Sequence, residues 1–126
     1  MTAGRDCGEA FARALAAKDR SGLLALLADD VDFRAMTPGR FWEAINADQL
    51  VDKVILGHWF EEDDQIEALL STETEEVADR TRVGYRLQVR NGDGLHLVEQ
   101  QAYLSAADGR ISWLRIMCSG YRPIDG

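Results

Sequence analysis

The chain has 126 residues, 46% hydrophobic and 29% charged, with a formal net charge of −8. That length predicts one domain, residues 1–126, with enough chain to bury a real core. The negative charge argues against nucleic acid and against an anionic membrane surface, since both call for surplus Lys and Arg.

No apolar run approaches the length needed to cross a bilayer, and the first residues lack the basic-then-apolar pattern of a signal peptide. The two cysteines, Cys7 and Cys118, are too few and too far apart for a disulfide framework. Both are expected as free thiols in a reducing cytoplasm.

Residues 1–5 are expected to be loose. Apolar residues at Cys7, Ala10, Phe11, Ala14 and Leu15 step by three and four, which predicts a helix ending near Lys18. Ser21 offers an N-cap for a short second helix carrying Leu23, Leu24, Leu26 and Leu27. Asp29 and Asp30 oppose the helix dipole and stop it. Val31, Phe33 and Ala35 then alternate with Asp32 and Arg34, a strand with one buried face that Pro38-Gly39 breaks. Residues 40–45 are expected as a loop holding Phe41 and Trp42. Asn46 and Gln49 have the spacing of a capping box and open a third helix over about 47–60. Its expected inner stripe is Val51, Val54, Ile55 and His58.

After Glu61-Glu62-Asp63-Asp64 the period falls to two. Strands are predicted near 66–78, 81–90, 95–105 and 111–119, with hairpin turns at Asn91-Gly92-Asp93-Gly94 and Asp108-Gly109. The order is α-α-β-α-β-β-β-β, an α+β arrangement with a curved, mostly antiparallel sheet wrapped around a helix. Pairing Arg90 with Leu95 sets Leu87 opposite Val98, Tyr85 opposite Gln100 and Val83 opposite Ala102. One face then collects Val83, Tyr85, Leu87, Val98, Gln100 and Ala102, and the other collects arginines and Tyr103. A two-residue turn at Asp108-Gly109 would put Arg115 on the apolar face. A three-residue loop with Arg110 instead puts Leu114, Ile116 and Cys118 there, and avoids burying a lone charge.

With elements in this order, the chain resembles the nuclear transport factor 2-like superfamily, and more closely its SnoaL-like and ketosteroid-isomerase-like cone domains. The local signatures are Ala17-Ala-Lys-Asp, then Leu23-Leu-Ala-Leu-Leu-Ala-Asp-Asp-Val-Asp-Phe, and Asp108-Gly-Arg-Ile. The resemblance runs from Phe11 to about Tyr121 and implies a cystatin-like cone. The family includes isomerases, cyclases, dehydratases, binders and association domains, so fold alone cannot choose among them. Ketosteroid isomerases use a tyrosine, an aspartate base and a protonated aspartic acid. The matching positions here are Phe11, the region Ala35 to Thr37, and Gln100. Phe11 has no hydroxyl and Ala35 to Thr37 offer no carboxylate base, while Gln100 could still donate a hydrogen bond, so steroid-type isomerisation is not expected.

His58 is the candidate for general acid–base chemistry, since its ordinary pKa suits proton transfer near neutrality. A half-buried histidine bonded to a carbonyl explains the same position. Tyr85 and Gln100 could hold a ligand oxygen or simply satisfy one another. Cys118 fits a small buried residue, or a thiol without an evident activating partner. Phe41, Trp42, Trp59 and Phe60 could form an aromatic mouth. The expected ligand-binding set is Phe11, Phe33, Trp42, His58, Trp59, Tyr85, Leu87, Gln100, Leu114 and Cys118. No metal-ligand spacing, P-loop or dinucleotide motif occurs, and no cofactor is expected. His96, beside a turn, is expected to face solvent. The outer face carries Tyr103, Trp113, Arg115 and Met117, residue types enriched at interfaces, and predicts a homodimer. The expected function is binding of an apolar or aromatic small molecule, with or without cyclase, isomerase or dehydratase chemistry. A carrier or a filled-cone association domain are the alternatives.

Overall fold

A computed structural model describes residues 3–124. Helix α1 spans Ala3–Ala16 and buries Cys7, Phe11, Ala12 and Leu15, one face at helical spacing. Residues 3–5 begin this helix rather than preceding it loosely, while residues 1–2 lie outside the described residues. Helix α2, Arg20–Leu26, is capped by Asp19 and not by Ser21. Asp19 sits in extended backbone, where its carboxylate accepts from Gly22 N at 3.0 Å; Ser21 already lies inside the first turn.

Strand β1, Leu27–Thr37, follows directly. The stretch expected as a loop is instead strand β2, Arg40–Ala44, paired antiparallel with β1 so that Ala35 faces Trp42 and Phe33 faces Ala44. The breaker Pro38-Gly39 is a tight hairpin turn, with Gly39 at φ +77°, a position that suits glycine after proline. Phe41 and Trp42 are therefore strand residues on opposite faces, which accounts for such large groups in an apparent loop.

The third helix spans Gln49–Trp59. Asn46 Oδ1 accepts from Gln49 N at 2.8 Å, as the capping spacing predicts. This helix is wound in the wider π pattern: Phe60 N–H reaches Ile55 O, five residues back, at 2.8 Å. The wider turn re-spaces the inner stripe. Leu50, Val51, Val54, Ile55 and Trp59 are buried, and His58 is rotated out to an exposed position. Its expected place on the inner stripe is thus taken by Trp59.

Strands β3 (Gln65–Val77), β4 (Arg80–Asn91), β5 (Gly94–Ala107), β6 (Arg110–Cys118) and β7 (Arg122–Pro123) complete one open, curved sheet. The order is β2-β1-β6-β5-β4-β3, with β7 on β5, and only β1–β6 is parallel. The β4–β5 register pairs Arg90 with Leu95, Leu87 with Val98, Tyr85 with Gln100 and Val83 with Ala102, as the alternation requires.

The β5–β6 hairpin reaches the expected faces by a different device. Its turn has two residues, Asp108 and Gly109, both at positive φ (+55° and +78°), the geometry that suits strand twist. Ala107 pairs with Arg110 and Ala106 with Ile111, but Ser105 pairs with Trp113. Ser112 is the extra residue of a bulge, and this bulge restores the parity that the short turn would have reversed. Leu114 and Ile116 are accordingly buried, and Arg115 lies outside, bonded to Asp32 at 3.1 Å.

The inner face packs on α1 and the third helix. Phe11 and Tyr85 meet edge-on with ring centroids 6.5 Å apart, and Phe33 lies 6.0 Å from Trp59. Among the described residues, no helix is long and apolar enough to cross a membrane.

Candidate functional site

The depth of the cone is filled by the protein's own side chains. Phe11, Phe33, Tyr85, Leu87 and Leu114 are all fully buried there, and none of them lines the cavity at the mouth. Space remains at the mouth, where a cavity of about 360 Å³ is bounded by the third helix, β5 and β6, and the segment 119–121. Four residues expected to touch ligand line it: His58, Trp59, Gln100 and Cys118. Trp42 stands outside this wall, with its ring 6.1 Å from Trp59 and 5.3 Å from His58. Of the expected aromatic mouth, Trp59 and Phe60 line the cavity, while Phe41 points away and is exposed.

Gln100 is the polar centre of the floor. Strand pairing sets it between Tyr85 on β4 and Cys118 on β6. The Tyr85 hydroxyl donates to Gln100 Oε1 at 2.6 Å, and Gln100 Nε2 donates to Cys118 Sγ at 3.4 Å. The reversed amide would turn Oε1 toward the sulfur and leave the phenol proton without an acceptor. Gln100 therefore turns its N–H₂, not its C=O, toward Cys118, which also lines the cavity. Burial pushes the Tyr85 phenol well above its ordinary pKa, and the nearby Cys118 sulfur adds to the effect. The phenol stays neutral and keeps its proton for Gln100.

His58 stands at the rim. Its Nδ1 lies 2.6 Å from Lys53 O, a carbonyl that can only accept, so Nδ1 carries the proton. The neutral ring then has an unprotonated Nε2, the form a general base requires. The wall also contains a buried donor without a partner. Trp59 is 6% exposed, and its Nε1 has no hydrogen-bond partner. An unpaired buried donor costs about 1–3 kcal/mol, which an acceptor placed beside it would recover.

The segment after β6 closes the mouth. Tyr121 donates to Trp59 O at 2.6 Å and packs on Phe60, while Gly120, at φ +75°, lies against Pro38. Burial raises the Tyr121 phenol, with Asp64 next in effect. His96, expected to face solvent, is buried at 6% exposure with its ring 5.5 Å from Tyr121. It shares the even-numbered face of Val98 and Gln100, and that parity was the available signal. The 119–121 segment carried no local signal, because its contacts are with residues far along the chain. No carboxylate lines the cavity. Among the described residues, no cluster of three or more His, Cys, Asp or Glu side chains could hold a metal ion.

A second hollow, of about 410 Å³, lies on the other side of the sheet against β2. Met36, Phe41, Trp42, Tyr103 and Met117 line it, with Arg34 and Arg115. It is larger, but it holds no buried polar group of the kind found on the cavity floor. Trp113, on the same outer face, is covered by the Arg80 and Arg115 guanidiniums at 3.6 and 4.4 Å.

No family model and no curated protein matches the sequence. Solved structures do. An epoxide hydrolase of the LEH-like type from M. tuberculosis aligns over 94% of this chain and 84% of its own, with TM-score 0.69 and 16% identity. A protein from Pseudomonas putida, provisionally named a polyketide cyclase, aligns over 92% and 90%, with TM-score 0.69 and 16% identity. Both share the α+β cone fold described above. A third such cone, from Kribbella flavida and provisionally named a ketosteroid isomerase, covers 100% of this chain and 85% of its own, with TM-score 0.67 and 18% identity. At these identities the likeness is one of fold.

Proposed function

We propose that the chain binds a small, largely apolar molecule bearing an acceptor oxygen in the mouth cavity, and moves a proton on it through His58. The observation that carries this reading is the fixed Tyr85–Gln100 pair in the cavity floor, which directs the amide N–H₂ toward Cys118 in the cavity wall. At a liquid share of ~30 Å³ per water, 360 Å³ holds about a dozen waters. That favours a one- or two-ring guest over a steroid. Gln100 would hold the guest's oxygen, and His58 Nε2 would take or return the proton. Trp59 and Phe60 supply the apolar wall. The names of the structural neighbours, epoxide hydrolase, polyketide cyclase and ketosteroid isomerase, support small-molecule chemistry as a class. Steroid isomerisation itself is disfavoured, because Ala35, Met36 and Thr37 provide no carboxylate base.

The same lack of a carboxylate favours a second reading, a carrier without turnover. A homodimer through Tyr103, Trp113, Arg115 and Met117 is part of the proposal, supported by the exposure of Met117 at 54% and Tyr103 at 37%. Two free thiols fit a cytoplasmic setting.

Thermal shift with one- and two-ring ketones tests the site. A guest at a hundred times its Kd should raise Tm by about 10 °C. No shift with any of them refutes the site. His58→Ala should keep binding and lower turnover by about 10²–10⁴-fold. Unchanged turnover removes His58 from the chemistry, and binding without any turnover supports the carrier.

A further inference from the structure

One hydroxyl of the mouth cavity has its hydrogen bonding only half used. We propose that Thr37 is a further binding residue of this cavity, donating its hydroxyl proton to the guest's acceptor oxygen, and that Trp42 is the residue that positions it. This rests on the cavity being a ligand site.

The backbone places the Thr37 side chain on the inner side. Val31, Phe33 and Ala35 are buried at alternate positions of β1, and Thr37 is the next member of that inward series. It is the last residue of the strand, and it lines the cavity together with His58 and Gln100. The hairpin partner agrees. Trp42 pairs with the inward Ala35 and so shares its face, and its indole Nε1 donates to Thr37 Oγ1 at 2.8 Å. That bond occupies one lone pair of the hydroxyl and leaves its proton free to be given. Among the described residues, no group accepts the Thr37 proton. Accepting an N–H also polarises the hydroxyl and strengthens it as a donor.

The same indole ties this donor to the proposed base. The Trp42 ring lies 5.3 Å from the His58 ring and 6.1 Å from Trp59, and the Arg40 guanidinium covers it at 3.7 Å. His58 is anchored in turn on Lys53 O at 2.6 Å. One packed side chain thus sets both a hydroxyl donor and a ring nitrogen acceptor at the rim. A guest with a carbonyl oxygen and a transferable proton can use the two together.

The experiment uses the full chain with cyclohexanone and 2-decalone, each against its methylene analogue, in which C=CH2 replaces C=O at nearly the same shape. Calorimetry gives the dissociation constants. Thr37→Val keeps the branched shape and removes the donor. It should weaken the ketones about tenfold, as the loss of one hydrogen bond does, and change the methylene compounds by less than about twofold. Thr37→Ala should show the same selective loss, and Thr37→Ser should regain most of the ketone affinity. Trp42→Phe keeps a ring beside His58 but removes the indole N–H, so it should weaken the ketones by about threefold and spare the methylene compounds. A residue that only shapes the wall would weaken both kinds of guest alike, so equal losses in the valine and alanine variants overturn the proposal. Ketone affinities equal to those of the parent overturn it too. If the parent binds either ketone in that case, the ligand site stands and only the role of Thr37 falls. If the parent binds neither, both fall together.

Discussion

Replacing both members of the Tyr85–Gln100 pair should cost much less than the two single replacements added together. The two residues are 1% and 0% exposed, and their hydrogen bond is 2.6 Å long. Tyr85→Phe keeps the ring and its contact with Phe11 but leaves Gln100 Oε1 buried without a donor. Such an orphan costs about 1–3 kcal/mol. Gln100→Leu strands the phenol hydroxyl in the same way and costs a similar amount. The double variant has no orphan left between the two positions, so it should lie near one single variant rather than at the sum. The coupling is expected at about 1–2 kcal/mol. Urea unfolding followed by tryptophan fluorescence measures it, with the m-value unchanged across the four proteins. Losses that add to within about 0.5 kcal/mol would refute the reasoning. The same variants report on the site. Tyr85→Phe frees the amide to turn, so a ketone guest should bind more weakly, and Gln100→Leu should weaken it further.

Three other outcomes are expected. Burial raises both Tyr85 and Tyr121, so above about pH 10 the unfolded chain loses phenolic protons that the folded chain keeps. Stability is whole below that pH and falls above it, by about 1.4 kcal/mol per pH unit for Tyr85 alone; urea midpoints from pH 8 to 11 should drop, and Tyr85→Phe should flatten the slope. Deleting Ser112 removes the bulge and lets Trp113 follow Ile111 in regular alternation, so Leu114 and Ile116 keep their inward places opposite Leu104 and Ala102 and Arg115 stays outside. The shortened chain should fold with a cooperative melt by circular dichroism, and an unfolded chain would count against the parity argument. Trp113→Glu combined with Tyr103→Glu should sediment as a monomer where the parent sediments as a dimer; a monomeric parent, or an undisturbed dimer, removes that face as the interface.

The faces of the sheet were legible in the residues themselves. Val83, Tyr85, Leu87, Val98, Gln100 and Ala102 share one side because side chains alternate strictly along paired strands. Two details resisted local reasoning. Whether Gly57-His58-Trp59 follows an α or a π path depends on which hydrogen bond Phe60 N–H makes, and that is decided by what packs around Trp59 and Phe60. Whether β6 corrects its parity in the turn or at Ser112 depends equally on the strands beside it. Both routes present the same apolar residues inward, so composition alone could not separate them.

Periodicity along the strands, then, decided which way their side chains point, since that follows from backbone geometry a few residues long. Only the assembled fold decided where room is left over. Phe11, Phe33, Tyr85 and Leu87 fill the depth, and the 360 Å³ gap survives at the mouth because residues 119–121 arch over Trp59 and Pro38 from the far end of the chain. A void is a sum over side-chain volumes contributed by distant segments, and no local pattern carries that sum.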